Sequence, residues 1–110
     1  MRVIKMYTGD DQRTHFEELD VKDSEQIPVQ YMSFGAFDAY DEAEHPAPRR
    51  QLVIVLEGTF ELGSADGVIT LGPGEAFLAE DITGEGHTTR IVGGRAVALP
   101  LVEGGVLPLG

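Results

Sequence analysis

Two stretches decide how this chain folds: HPAPRRQLVIVLEG, from His45 to Gly58, and LGPGEAFLAEDITGEGHTTRI, from Leu71 to Ile91. Within the first, Gln51 to Leu56 (QLVIVL) is six residues of strongly β-forming chain, apolar on both faces, which predicts a buried strand ended by Glu57-Gly58. In the second, Gly72-Pro73-Gly74 is a tight turn that leads into a short apolar strand, Glu75 to Ala79. An acidic, glycine-rich bend follows, and then His87 opens another strand, Thr88 to Val92. Polar clusters beside β-branched strands point to side chains that converge inside a small barrel.

The same grammar extends outward. Arg2 to Tyr7 reads as an edge strand closed by turn residues at Thr8-Gly9-Asp10-Asp11. His15 to Val21 fits either one helical turn or a second short strand. Val29 to Phe37 carries apolar residues on both faces, so it is expected to lie between layers. Asp38 to Pro48 is polar, and Pro46 and Pro48 forbid a helix through it. Thr59 to Leu62 and Val68 to Leu71 form the arms of a hairpin, with Asp66-Gly67 supplying its positive-φ turn. Gly93-Gly94 leads to a last strand, Ala96 to Val102, and an apolar tail occupies 103–110. Turn signals every eight to twelve residues without a long helical period define an all-β fold, a sandwich or barrel, in one domain covering residues 1–110.

Composition narrows the function. Nineteen acidic against eight basic residues leave a formal net charge of −11, which phosphate backbones and anionic membrane surfaces repel. Nucleic-acid and membrane partners are disfavoured on that ground. No segment reaches the ~20 apolar residues of a membrane helix, and the N-terminus turns acidic too early for a secretory signal. A cytoplasmic location is therefore expected. Cysteine is absent, so any metal would need imidazole, carboxylate or amide ligands. A dinucleotide fingerprint, a Walker-type Gly-Lys-Ser/Thr run and a supported serine nucleophile are all missing.

The region from about residue 30 to 102 resembles the conserved barrel of the cupin superfamily, a double-stranded β-helix of jelly-roll type. Gln51, followed after six residues by Gly58, matches the end of that family's first motif, with glutamine where an acid is usual. His45 matches the motif's first histidine, and Ala47 stands at the second. Gly72-Pro73-Gly74 resembles the opening of the second motif, and Gly86-His87 its close, with Ile82 where proline is usual and a bend about two residues longer.

The resemblance implies a small-molecule site in the barrel lumen. His45 and His87 would be its central catalytic groups, and His45, Gln51 and His87 its candidate ligands for Zn, Fe, Mn or Ni. Isomerase, cyclase, lyase or dioxygenase chemistry on a small organic acid or aromatic compound would follow from it. The alternative is a non-catalytic cupin that binds a small ligand without metal.

Arg49 or Arg50 is expected at the mouth of the barrel to hold a substrate carboxylate, and Arg49 falls in phase with Gln51, Val53 and Val55. Tyr31 and Phe37 are candidates for an aromatic substrate-binding wall, together with Tyr40. His15, outside both motifs, reads as structural or solvated, and Glu57 and Glu80-Asp81 as exposed turn residues. A twofold homodimer that protects open strand edges is expected.

Overall fold

The computed structural model describes residues 1–102, with the backbone alone for residues 37–42; the tail at 103–110 lies outside the described residues. Seven strands run in chain order: β1 (Arg2–Thr8), β2 (Thr14–Asp20), β3 (Ser33–His45), β4 (Gln51–Ser64), β5 (Gly67–Leu71), β6 (Ala76–Ala79) and β7 (His87–Pro100). The all-β reading stands. Among the described residues there is no helix long and apolar enough to cross a membrane. The strands form one sheet in the order β2-β1-β6-β4-β7-β3, with β5 added to β4. Its two ends do not pair with each other, so the sheet is curled and open where a closed barrel was expected.

Several elements differ from their sequence reading for one shared reason, long-range pairing. β1 is an interior strand, paired antiparallel with β2 and parallel with β6, and the edge it was expected to form belongs to β2. The segment around His15, which the sequence leaves open between a helical turn and a short strand, is a strand. β3 begins at Ser33 and runs on to His45, through residues read as a polar loop. It is the other edge of the sheet, so Tyr31, Met32 and Phe34 are exposed rather than sandwiched.

β4 does not end at Glu57-Gly58. It continues to Ser64, because register shifts between Val55 and Thr59 let it bend and pair along its length with β7. Gly58 makes the bend possible. Its φ is +78°, and a Cβ there would collide with the Gly93 carbonyl and Gly94 Cα of β7. β7 is likewise one strand where two were expected. The hairpin forms, with Phe60 to Ser64 facing Leu71 to Gly67; the sequence reading ends its arms at Leu62 and Val68, and the pairing carries them on to a two-residue turn at Ala65-Asp66.

Both faces of the sheet are packed. The concave face holds Ile4, Met6, Val53, Val55, Phe60, Leu62 and Leu71. The convex face holds Val3, Leu52, Ala76 and Leu78, which the chain after β2 covers with Val21, Ile27 and Val29. That cover is pinned by Gln30 N–H to the Pro100 carbonyl (2.8 Å), Gln30 Nε2 to the Leu101 carbonyl (2.8 Å) and Val102 N–H to the Pro28 carbonyl (3.3 Å). Each fully buried aliphatic side chain contributes about 1.5–3 kcal/mol relative to exposure, so these layers hold the concave face rigid.

Candidate functional site

The concave face encloses a cavity of about 360 Å³. Its apolar wall includes Val53, Phe60, Phe77, Ile91 and Ala96, and its polar groups are His45, Gln51, His87, Ser33 and Thr89. His45 ends β3, His87 begins β7, and the two are cross-strand partners in the β3–β7 pairing. Residues directly opposite in an antiparallel pair share a face. The imidazoles therefore meet, with ring centroids 6.1 Å apart and planes inclined at 37°. Gln51 starts β4 opposite Ala79 of β6 and Pro100 of β7, with its side chain on the cavity.

Gly86 makes the approach of the two histidines possible. Its φ is +83°, and a Cβ on it would overlap the His45 carbonyl group and Pro46 N. Only a residue without a side chain lets the chain enter β7 this close to the end of β3.

The ring nitrogens are oriented differently on the two histidines. His45 Nδ1–H donates to the Pro46 carbonyl at 2.7 Å. His87 Nδ1 lies 2.6 Å from Asp81 Oδ2, and Thr14 Oγ1 donates to the same oxygen at 2.7 Å. Asp81 is 0% exposed and His87 6%. A short bond between a carboxylate and an imidazole out of water is charge-assisted and strong. It commits Nδ1 as the donor and leaves Nε2 as the ring's basic edge. Asp81 Oδ1 is buried with no hydrogen-bond partner among the described residues.

Asp81 reverses its sequence reading as an exposed turn residue. The loop from Glu80 to Gly86 is tied down on several sides. Glu80 N–H donates to the Met6 carbonyl at 2.8 Å, Ala47 N–H to the Asp81 carbonyl at 2.9 Å, and Glu85 N–H to the Gln12 carbonyl at 2.8 Å. Those bonds draw the carboxylate inward, two residues past Ala79, which lines the cavity.

The remaining candidates lie elsewhere. Arg49 is exposed and off the cavity wall, and Arg50 turns outward to Glu80 at 3.2 Å. Tyr31 is exposed at the β3 edge and also off the wall. The side chains of Phe37 and Tyr40 lie outside the described residues. Among the described residues, Phe60 and Phe77 supply the aromatic wall, with rings 6.4 Å apart. Their signal was in phase with Val53 only if the β4 bulge is known, because the inward parity switches from odd to even positions between Val55 and Phe60.

His15 is held between Asp66 (Nδ1 to Oδ1, 2.8 Å) and Asp11 (Nε2 to Oδ1, 2.9 Å). Hydrogen bonds and the charge of the two carboxylates, Asp11 foremost, raise its pKa above the ordinary histidine value. Asp66 also accepts from Phe16 N–H at 2.9 Å, so this cluster clips the β4–β5 hairpin to β2.

Among the described residues, no three His, Cys, Asp or Glu side chains converge as a metal-ligand group. In comparisons with known proteins, no family model, curated protein or solved structure matches this chain.

Proposed function

We propose that this protein is a small-molecule enzyme with a cupin-type roll, and that its lumen performs proton transfer with His87 as the acid–base group. The buried Asp81–His87 bond, at the wall of an otherwise mostly apolar cavity, is the observation that carries this reading. His87 Nε2 takes a proton from a carbon next to a carbonyl group and returns it at another position. Asp81 holds the ring in the tautomer that can do this, and its charge offsets the positive charge that arises on the ring. Thr14 fixes Asp81 in turn. The Gln51 amide can donate to the carbonyl oxygen, with His45 beside it on the same wall. Isomerisation, cyclisation or elimination are the reactions this set serves. A buried, half-satisfied carboxylate such as Asp81 costs stability, a cost that function accounts for.

The test is hydrogen–deuterium exchange at the α-carbon of β-tetralone in D₂O, followed by proton NMR. The wild-type protein should accelerate exchange, His87→Ala should abolish the acceleration, and Arg49→Ala should leave it unchanged. Equal rates in wild type and His87→Ala would refute the role of His87. Binding of β-tetralone without exchange would mark the lumen as a ligand-holding site without chemistry.

A divalent metal is a second reading favoured by a specific observation. Both imidazoles commit Nδ1 to an oxygen acceptor, the outer-shell arrangement of metal-ligating histidines. His45, His87 and the Gln51 amide would be the ligands, and the ion would supply Lewis acidity to a substrate oxygen. Elemental analysis of protein purified without an affinity tag, beside His87→Ala, decides it. Near-stoichiometric metal lost in the variant supports this reading. A metal-free parent that gains no thermal stability from added Zn²⁺, Mn²⁺, Fe²⁺ or Ni²⁺ ends it.

A further inference from the structure

Resting on the reading of the lumen as the ligand site, we propose that it selects an uncharged, largely apolar molecule and rejects carboxylates and phosphates. The argument is a full account of positive charge. The chain has eight basic residues, and none lines the cavity. Five arginines are held by glutamates away from it: Arg2 by Glu18 and Glu75, Arg13 by Glu85, Arg50 by Glu80, Arg90 by Glu61 and Arg95 by Glu57. Lys5 lies over the Tyr7 ring, and Lys22 and Arg49 are exposed. The segments that are not fully described add none: residues 37–42 read FDAYDE and residues 103–110 read EGGVLPLG, with no Lys, Arg or His in either.

The two cavity histidines both spend Nδ1 on protein acceptors. His87 is already matched by Asp81, so a protonated ring and its carboxylate together are neutral. His45 gives its Nδ1–H to a backbone carbonyl. A carboxylate entering a mostly apolar cavity would lose part of its hydration and meet no lysine or arginine, inside a chain of net charge −11. An uncharged ligand loses little, and His45, Gln51, Ser33 and Thr89 suffice to orient one polar end. The 360 Å³ cavity sets the size. At the ~30 Å³ a water occupies in the liquid, it has room for a molecule of about a dozen non-hydrogen atoms.

β-Naphthamide and β-naphthoate have the same shape and differ in charge, so they isolate the effect. Titration calorimetry at pH 8, where naphthoate is ionised, should show naphthamide binding at least tenfold tighter. Ala98→Phe, which fills the cavity wall, should weaken naphthamide at least tenfold. Ser33→Arg, at an exposed lining position, should narrow or reverse the preference. Equal or tighter binding of naphthoate by wild type overturns the inference, as does binding of neither compound or naphthamide binding indifferent to Ala98→Phe. The exchange assay on β-tetralone reads a different property. Lost exchange with the naphthamide preference intact would sink the acid–base role alone, and the converse would sink the selectivity alone.

Discussion

Gly86→Ala and Gly74→Ala form a matched pair that measures how tightly the two histidines are held together. Both glycines sit in the left-handed region, at φ +83° and +84°. They differ in surroundings. A Cβ on Gly74 meets nothing within 4 Å, whereas one on Gly86 overlaps the backbone of His45 and Pro46. Placing alanine in the left-handed region costs about 1–2 kcal/mol, which is the whole expected effect at Gly74. Forcing packed backbone apart adds about 1–3 kcal/mol, so Gly86→Ala should cost roughly 2–5 kcal/mol in all. At this chain length about 1 kcal/mol corresponds to a melting shift of roughly 4 °C. Urea unfolding with unchanged slopes gives both values directly. Nitrogen-15 spectra of the imidazoles should report altered His45 and His87 environments in Gly86→Ala only. Equal destabilisation by the two substitutions, with unchanged imidazole spectra, would refute the claim that Gly86 sets the approach of β3 to β7.

Further outcomes follow from other parts of the molecule. Asp81→Asn preserves size but removes the carboxylate charge and can turn an N–H donor toward His87 Nδ1, which favours the wrong tautomer, and should slow β-tetralone exchange by ~10²-fold or more while naphthamide affinity changes little. Leu62→Ala, at a fully buried position, should cost about 2–5 kcal/mol in urea unfolding; Val68→Ala, 70% exposed on the hairpin, should fall within about 0.5 kcal/mol. The His15 clip predicts a pH signature. A raised histidine pKa means that the clip's contribution is complete below the unfolded value near 6.5 and is lost as pH rises through the folded value. Asp11 and Asp66 are lowered from 3.8, so on the acid side the contribution is lost as pH falls through their folded values. The melting difference between wild type and His15→Ala should therefore be larger at pH 5.5 than at pH 9, and a difference that grows toward alkaline pH would contradict the assignment.

Local pattern sufficed where the structure is local. The alternation of Gln51, Val53 and Val55 against Leu52 and Ile54 correctly separates the concave from the convex face. The Asp66-Gly67 signal locates the hairpin, whose arms run one to two residues further than read, to Ser64 and from Gly67. What escaped the sequence depends on partners far along the chain. Gly58 reads as a strand terminator, and only the approach of Gly93 and Gly94 makes it a bend within one strand. That bend reverses the parity of the inward residues, which hid Phe60 from the pocket. Asp81 sits in EDITGEG, as polar a segment as any in the chain, and is buried by bonds from Thr14 and Ala47 that no local pattern encodes. His45 and Gln51 came from motif spacing; the carboxylate behind His87 did not.

The parallel pairing of β1 with β6 also governs the order in which the molecule can be completed. β1 is made before the other six strands, yet Val3 must wait for Ala76, 73 residues further along the chain. Until then β1 has β2 as its one partner strand, and its apolar residues Val3, Ile4 and Met6 remain in water. Pairings this distant in sequence are slow to close, and early exposed strands are open to misassociation. The concave wall, to which Ile4 and Met6 belong, thus cannot be complete until β6 has been made.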